Sequence, residues 1–323
     1  MPVYTLGTLE ALEALLRDLY IDLRAKVNSW SQITCQTPQA RMGYVGQHLV
    51  SVVTGFPGGK SGARGHDLEM GEGAYGEIKT CYRVDQLGVC RDCGGVVSSL
   101  ETQCARCASR NIDRKDDSKW LITLRNDGEF AQVLEPLRYY FVLFEFADLT
   151  DPANNDILAS IWQVNPRNKG FAYCMADYYL NIRAKSASKA PFNMWPHELK
   201  FLLTRPELIY RSLIRGDGRI ETLVFPTLGN GYAESLRPLE TYARATTLTP
   251  QAVRLALARL TGSDPGALSK RAGLARLEEE RQGRLLDNGL LCDLLAEAVY
   301  LPLLEPVKAH IPPQIRKGYP ELQ

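Results

Sequence analysis

Two Cys-x2-Cys pairs, Cys90/Cys93 and Cys104/Cys107, constrain the fold of this chain more than any other feature of its sequence. Two tight turns that each present two thiolates suit one tetrahedral ion, and this spacing is typical of a structural four-thiolate zinc site. Gly94 follows the first pair and gives the backbone the freedom that such a turn needs. The sequence therefore predicts Zn²⁺ bound by the four cysteines, with iron as the alternative ion for the same ligands.

Disulfide bonds are a poorer use of these cysteines. The chain has no signal-peptide pattern and no apolar run long enough to span a membrane, so we expect a cytoplasmic protein whose thiols stay reduced. A redox Cys-x2-Cys motif occurs singly inside a βαβ pattern, which this region lacks. We expect the remaining cysteines to be buried thiols, with Cys81 as an alternative metal ligand. They are Cys35, Cys81, Cys174 and Cys292.

A second motif, rich in acids, lies just before the cysteines. Two short runs joined by Gly-Glu-Gly-Ala-Tyr predict a β-hairpin. Side chains alternate along a strand, so Glu77 and Lys79 share one face while Ile78 points to the core. Pairing across the turn can bring Asp67 near Glu77, which places two carboxylates within reach of one divalent cation.

Hard oxygen ligands of this type suit Mg²⁺. A bound cation can neutralise charge on a phosphate and lower the pKa of an attacking water, and the Lys79 ammonium can orient that water or stabilise the transition state. Asp67, Glu77 and Lys79 are therefore the predicted catalytic residues, and the two acids are the predicted Mg²⁺ ligands. The alternative is that these charges form a solvated hairpin face.

The runs Gly-His-Asp-Leu at Asp67 and Gly-Glu-Ile-Lys-Thr at Lys79 resemble the PD-(D/E)xK nuclease superfamily, in particular its type II restriction endonucleases. With the four-cysteine insertion, the chain is similar to MamI-like enzymes. The resemblance implies Mg²⁺-dependent, sequence-specific cleavage of double-stranded DNA in a prokaryotic restriction-modification system, usually by a homodimer. His66 stands where the superfamily name has Pro. Family members often carry a further Glu on the preceding helix, where this chain offers Gln47 as a catalytic candidate.

The segment from Thr54 to Ser61 ends like a phosphate-binding P-loop. The position five before Gly59 is Thr54 rather than glycine, and the preceding segment is patterned like a helix rather than a buried strand. We therefore expect no NTPase activity. Lys60 and Arg64 are instead predicted to contact DNA phosphate beside the acidic hairpin.

The net charge is only +1, but the charge is unevenly distributed. Residues 165–219 contain ten Lys or Arg against four acids, an excess that suits a phosphate backbone. Residues 165–200 are expected to recognise DNA, with a loop-rich stretch over 181–197, because Arg and Lys read guanine edges and Asn reads adenine edges. The alternative is an ordinary polar surface around an aromatic core. The predicted DNA contacts here are Arg167, Asn168, Lys169, Arg183, Lys185, Lys189 and Asn193.

The hydrophobic pattern predicts the main elements. Leucines recur at helical spacing from Leu9 to Leu23, which predicts an N-terminal helix packed on the core, with a dimer contact as the alternative. Runs rich in β-formers at 120–124, 139–146 and 157–164 predict strands that extend the sheet of the hairpin. Beyond Ile220 the pattern is helical.

Two helices predicted to begin at Thr249-Pro250 and Asp264-Pro265 resemble a helix-turn-helix in outline. We expect a nuclease domain over 1–220, with a zinc-binding insertion at about 86–112, and a helical subdomain over 221–323. That subdomain would serve dimerisation or DNA clamping.

These observations predict an α/β protein with a mixed central sheet flanked by helices, of the restriction-endonuclease type. The predicted function is that of a type II site-specific endodeoxyribonuclease. One alternative is a non-enzymatic zinc-ribbon DNA-binding protein whose hairpin acids are surface charges. Another is a repair or junction-resolving nuclease that recognises DNA structure rather than sequence.

Overall fold

A computed structural model gives the architecture of the chain. It describes residues 3–34, 42–59, 66–82, 88–97, 103–104, 106–113, 119–148, 154, 156–188, 190–196, 198–228, 242–285 and 287–323. The chain divides into two compact units, and each unit is assembled from three separate stretches. The first comprises 1–120, 139–163 and 207–233, and the second comprises 121–138, 164–206 and 234–323.

A six-stranded sheet forms the centre of the first unit, in the order β1-β2-β7-β8-β10-β11. The central strands β7 and β8 are buried along nearly their whole length, because both of their faces are covered. The predicted mixed sheet flanked by helices is confirmed at this level, and its relation to a restriction-endonuclease fold stays a prediction. The strands are β1 Leu68–Glu69, β2 Tyr75–Tyr82, β7 Arg138–Phe146, β8 Ile157–Val164, β10 Glu207–Ile214 and β11 Ile220–Val224.

In the described part of the first unit, three α-helices accompany the sheets. Helix α1, Leu9–Leu16, continues through a π-helical stretch into α2, Leu23–Thr34, and α3 spans Met42–Thr54. Leu12 and Leu16 are fully buried, so the predicted packing of the N-terminal helix on the core is confirmed.

The buried face of this helix continues into the π-helical stretch, Arg17–Asp22. Tyr20 is fully buried, four residues after Leu16, whereas Leu19 is only partly buried against the same core. The Tyr20 ring stacks on Phe144 of β7 at a centroid distance of 5.4 Å.

The second unit is mainly helical. Its longest helix, α9 (Asn288–Leu304), packs against α5 (Lys169–Asp177) and α7 (Pro250–Thr261). Helix α7 also packs against α8 (Lys270–Gly283). A two-stranded sheet joins β6, Trp120–Ile122, to β9, Phe192–Met194. The helices are α4 Asp127–Val133, α5 Lys169–Asp177, α6 Leu199–Leu202, α7 Pro250–Thr261, α8 Lys270–Gly283, α9 Asn288–Leu304 and α10 Pro313–Arg316.

Two sequence predictions are wrong in this part of the chain, and one helix was not predicted. The unpredicted helix is α5, which is followed by a π-helical stretch at Tyr178–Arg183. Strand β6 pairs with β9 instead of extending the six-stranded sheet. Helix α8 begins after Ser269, whose side chain caps it, and not at Asp264-Pro265.

Helix α5 was not predicted because it is buried on all sides. Nearly every residue of the helix lies inside the core, and Phe171, Tyr173 and Met175 are completely inaccessible. A helix without a polar face has no 3.6-residue periodicity to detect.

Among the described residues, every helix is too short or too polar to traverse a lipid bilayer.

Candidate active site and four-cysteine site

The predicted hairpin is confirmed, and it determines where the two acids lie. Strands β1 and β2 pair antiparallel, with Leu68 opposite Gly76 and Glu69 opposite Tyr75. Extending this register by one residue places Asp67 opposite Glu77. The turn between the strands contains positive φ angles at Gly71, Glu72 and Gly73.

The Asp67 carboxylate is held by two hydrogen-bond donors. The backbone N–H of Ile78 donates to Oδ2 at 2.8 Å, and Nε2 of Gln47 donates to Oδ1 at 3.1 Å. Gln47 lies on α3, which approaches β2 closely because Gly46 has no side chain. A Cβ atom at Gly46 would lie 2.0 Å from Oγ1 of Thr80. The Gln47 amide therefore orients Asp67.

Glu77 and Lys79 share one face of β2, as the alternation of side chains predicts. The Lys79 ammonium donates to Oε1 of Glu77 at 2.6 Å, and about a quarter of each side chain is exposed. Ile78 between them is buried. Burial raises the pKa of the Glu77 carboxyl above its ordinary value, and the negative charge of Asp67 adds to this, although Lys79 opposes it.

The residues of this site fit a hard divalent cation. They offer two carboxylates and one ammonium, so one negative charge is left without compensation in a partly buried position. The raised pKa of Glu77 reflects the cost of holding that charge there. Oxygen ligands with unbalanced negative charge are what Mg²⁺ requires.

The P-loop-like segment serves as an extra strand beside β1. The N–H of Glu69 donates to the Pro57 carbonyl at 3.0 Å, and the N–H of Gly59 donates to the Asp67 carbonyl at 3.2 Å. A Cβ atom at Gly59 would lie 2.2 Å from the carbonyl oxygen of His66. The absence of a side chain at Gly59 thus allows this backbone to lie against Asp67. The predicted phosphate contacts Lys60 and Arg64 lie outside the described residues.

Two aromatic residues near the acids were not predicted from the sequence. The ring of Tyr75 packs edge-on against His66 at a centroid distance of 3.9 Å. Tyr139, on β7, is buried beside the site. Burial, followed by the charge of Glu77, raises its pKa well above the ordinary value. Its hydroxyl therefore stays protonated. The sequence predicted the strand that carries Tyr139, but the pattern of one strand does not show which of its residues will interact with the charge of Glu77.

The four cysteines of the two Cys-x2-Cys pairs converge, as predicted. Their sulfur atoms all lie within 4.8 Å of one another. The Sγ atoms of Cys90 and Cys107 are 3.5 Å apart, and those of Cys93 and Cys104 are 3.6 Å apart. Such a cluster can hold one tetrahedral ion. Cys81 is buried on β2 and is not part of the cluster.

A small three-stranded sheet carries the cysteine cluster. Strand β3, Gly88–Cys90, lies between β4, Val96–Val97, and β5, Ile112–Asp113. Cys90 is completely buried. Burial acts to raise the pKa of its thiol, but hydrogen bonds from the backbone N–H groups of Cys93 and Asp92 outweigh it and lower the pKa to about 7. These donors favour the thiolate that a metal ion needs.

The structure places the predicted DNA contacts of residues 165–200 in varied surroundings. Asn168 donates to the Thr204 carbonyl at 2.9 Å. Lys169 forms ion pairs with Glu297 and Glu321. Lys189 lies outside the described residues.

Of the other predicted contacts, Arg183 and Asn193 are half-buried, and Lys185 is exposed. Arg183 donates to the Ser186 carbonyl at 2.9 Å, and Lys185 donates to Oδ1 of Asn181 at 3.1 Å. Arg167 is exposed. Their contact with DNA stays a prediction.

The fold and the site define an α/β protein with an acid-and-lysine centre on one sheet edge and a four-thiol cluster that can hold a metal ion. The MamI restriction endonuclease family matches residues 29–234, and the chain belongs to this family. The matched range contains α3, both hairpin strands and all four clustered cysteines. No curated protein and no solved structure matches the chain.

Proposed function

We propose that this protein is a type II restriction endonuclease that uses Mg²⁺ to hydrolyse phosphodiester bonds in double-stranded DNA at a specific sequence. Membership of the MamI restriction endonuclease family supports the class of enzyme. The observation that carries the assignment of the centre is the Asp67 carboxylate. It is fixed by two donors and lies next to Glu77 and Lys79.

In this proposal Asp67 and Glu77 hold Mg²⁺, which, when bound, supplies charge neutralisation on the phosphate and a more acidic water. Lys79 orients the attacking water and stabilises negative charge on the phosphate as the bond to the leaving oxygen breaks. Gln47 is a positioning residue, because it acts through Asp67. Tyr139 is buried and stays neutral beside the charge of Glu77.

The four-cysteine site has a structural role in this proposal. One Zn²⁺ ion on Cys90, Cys93, Cys104 and Cys107 would stabilise a module whose own apolar core is very small. The enzyme would act as a homodimer, because a two-fold symmetric protein suits a palindromic site.

The test is digestion of a large, sequence-diverse DNA with and without Mg²⁺, followed by sequencing of the ends. We expect discrete, Mg²⁺-dependent fragments that share one motif. Lys79→Ala should abolish cutting, whereas Lys26→Ala, which removes an exposed ammonium from α2, should cut normally. Cutting that persists in Lys79→Ala would contradict the assigned centre.

Two other outcomes would change the proposed function. Ends without a common motif would indicate a nuclease directed by DNA structure. DNA that stays intact under all conditions, while the protein still binds it, would indicate a binding protein.

A further inference from the structure

Helices α7 and α8 form a tight pair in the second unit, outside the range matched by the family. Helix α7 ends at Gly262 in a left-handed conformation, and α8 begins after its capping residue, Ser269. The helices approach closely because Gly273 lacks a side chain. A Cβ atom there would lie 2.7 Å from Cγ1 of Val253. The exposed face of α8 is therefore presented on a well-packed support.

Helix α8 has two different faces. Gly273, Leu274 and Leu277 are buried against the rest of the unit. On the opposite face, Arg271, Ala272, Ala275 and Arg276 are all exposed. The two alanines lie between the two arginines on the helix surface, because residues three to five apart share a face. We call this surface the Arg-Ala face. It has two small side chains between two cationic ones.

Charge is strongly segregated along these helices. Between positions 242 and 277, Asp264 is the sole acidic residue of the sequence, and the acids of α8 follow at 278–280. Arg281 pairs with Glu278, Arg284 with Glu280 and Arg259 with Glu297. Within the described part of the chain, Arg271 and Arg276 have no carboxylate within ion-pair distance, although the exposed Glu279 lies three residues beyond Arg276 on the same side of the helix. Two arginines against one glutamate leave this surface with a net positive charge.

We propose that the Arg-Ala face of α8 binds duplex DNA, with Arg271 and Arg276 on phosphates and the alanines allowing the helix to enter the major groove. The major groove admits an α-helix, small side chains let the helix approach the bases closely, and phosphate contacts from arginine hold it there. The face has no large apolar side chain of the kind that dominates the core of a protein interface. The choice of duplex DNA as the partner rests on the proposed function.

The test is duplex binding measured by fluorescence anisotropy in EDTA, so that binding is separated from cleavage. The variant Arg271→Ala/Arg276→Ala is compared with Lys26→Ala/Lys317→Ala, which also removes two exposed positive charges. The arginine variant should lose at least about tenfold in affinity at physiological salt. The slope of log affinity against log salt should fall in magnitude by about 2, because two phosphate contacts are lost. The control should retain both values.

Unchanged affinity and salt slope in the arginine variant would overturn the proposal, and so would an equal loss in the control or the absence of duplex binding by the wild-type protein. A variant that keeps its affinity but changes from dimer to monomer in sedimentation would assign the face to self-association instead. Both arginines are exposed, so the melting temperature should not change. Cleavage with Mg²⁺ reports on the catalytic centre, whereas duplex affinity in EDTA reports on this surface, so failure of the cleavage centre can be told apart from failure of this surface.

Discussion

Asp67 depends on residues far from it in the chain for its position. Strand β1 is only two residues long, so its own ladder holds the acid weakly. The position of Asp67 is instead determined by the Gln47 amide, the Ile78 N–H and the backbone of Gly59. A small displacement of a reacting group can cost about a hundredfold in rate, so these contacts should control activity.

We expect Gly59→Ala to lower cleavage activity at least about tenfold, and about a hundredfold if the acid moves by 1 Å. The added methyl group would lie 2.2 Å from the His66 carbonyl oxygen, so the backbone at Asp67 must move. The measurement is the cleavage rate at saturating DNA, together with Ca²⁺ affinity by calorimetry as a readout that is independent of turnover.

The neighbouring glycine provides the control for this substitution. At Gly58 an added Cβ would lie 3.6 Å from the Asp67 carbonyl oxygen, which is an ordinary contact. Gly58→Ala should therefore keep both the rate and the Ca²⁺ affinity near wild-type values. Equal losses in the two variants would show that the loop tolerates no side chain, and that the close approach at Gly59 has no special role.

The two cysteine turns are the clearest repeated element. In the first, the N–H of Gly94 donates to the Cys90 carbonyl at 2.8 Å. In the second, the N–H of Ala108 donates to the Cys104 carbonyl at the same distance. Gly94 has a φ of 68° and Ala108 a φ of 58°. The same turn thus has glycine at the position of positive φ in the first case and alanine, which disfavours a positive φ, in the second.

Gly94→Ala should lower the free energy of unfolding of the Zn²⁺-loaded protein by about 1 kcal/mol, which is the cost of a left-handed conformation for an L-residue. An added Cβ at Gly94 would meet no other atom within 4 Å, so only the backbone angle matters. Ala108→Gly should raise the free energy of unfolding by up to about 1 kcal/mol. The gain is smaller than the full cost of the left-handed conformation, because glycine has greater entropy in the unfolded chain. Denaturant unfolding of both variants checks these opposite signs, and a change of the same sign in both would contradict them.

The C-terminal segment is attached to the second unit through Glu321, which accepts from the Lys169 ammonium and from the Tyr173 hydroxyl. Burial acts to raise the pKa of the Glu321 carboxyl, but these hydrogen bonds outweigh it and lower the pKa below its ordinary value. A carboxyl with a lowered pKa stabilises the fold above its unfolded pKa, and that contribution is lost as the pH falls through the folded value.

We therefore expect residues 311–323 to exchange their amide hydrogens faster as the pH falls below about 4, the unfolded value for a glutamate. This comparison requires correction for the intrinsic pH dependence of exchange. Glu321→Gln should show the faster exchange already at neutral pH and lose most of the pH dependence. Identical protection in the wild type and Glu321→Gln would show that buried apolar residues alone hold the segment.

For the whole molecule, the interleaving of the two units limits how the chain can be divided. The family match ends at residue 234, but α5 precedes that point and packs against α9, which follows it. Phe171 and Met175 of α5 are completely buried. Removal of α9 would expose this apolar surface to water.

A protein truncated to residues 1–234 should consequently aggregate or lose cooperative unfolding, rather than behave as an independent nuclease domain. Light scattering and thermal melting of the truncated and full-length proteins provide the measurement. A soluble, cooperatively folding and active product would instead support the division near residue 220 that the hydrophobic pattern predicts. The full-length protein is the matched control in each case.

The sequence alone predicted the features whose residues are close together in the chain. The four-cysteine cluster, the hairpin with Glu77 and Lys79 on one face, and the cap and end of α7 all depend on spacing within a few residues. The central strands were also predictable, because fully buried strands read as continuous apolar runs. Local geometry and composition are sufficient to predict these features from the sequence.

The tertiary structure decided what requires contact between distant residues or lacks a periodic signal. Gln47 orients Asp67 from helix α3, and Tyr139 on β7 is buried where the charge of Glu77 raises its pKa. Helix α5 has no polar face, so its pattern could not be read as a helix. Periodicity records only the boundary between core and solvent, and a side chain's partner across the core is determined by the packing of whole elements.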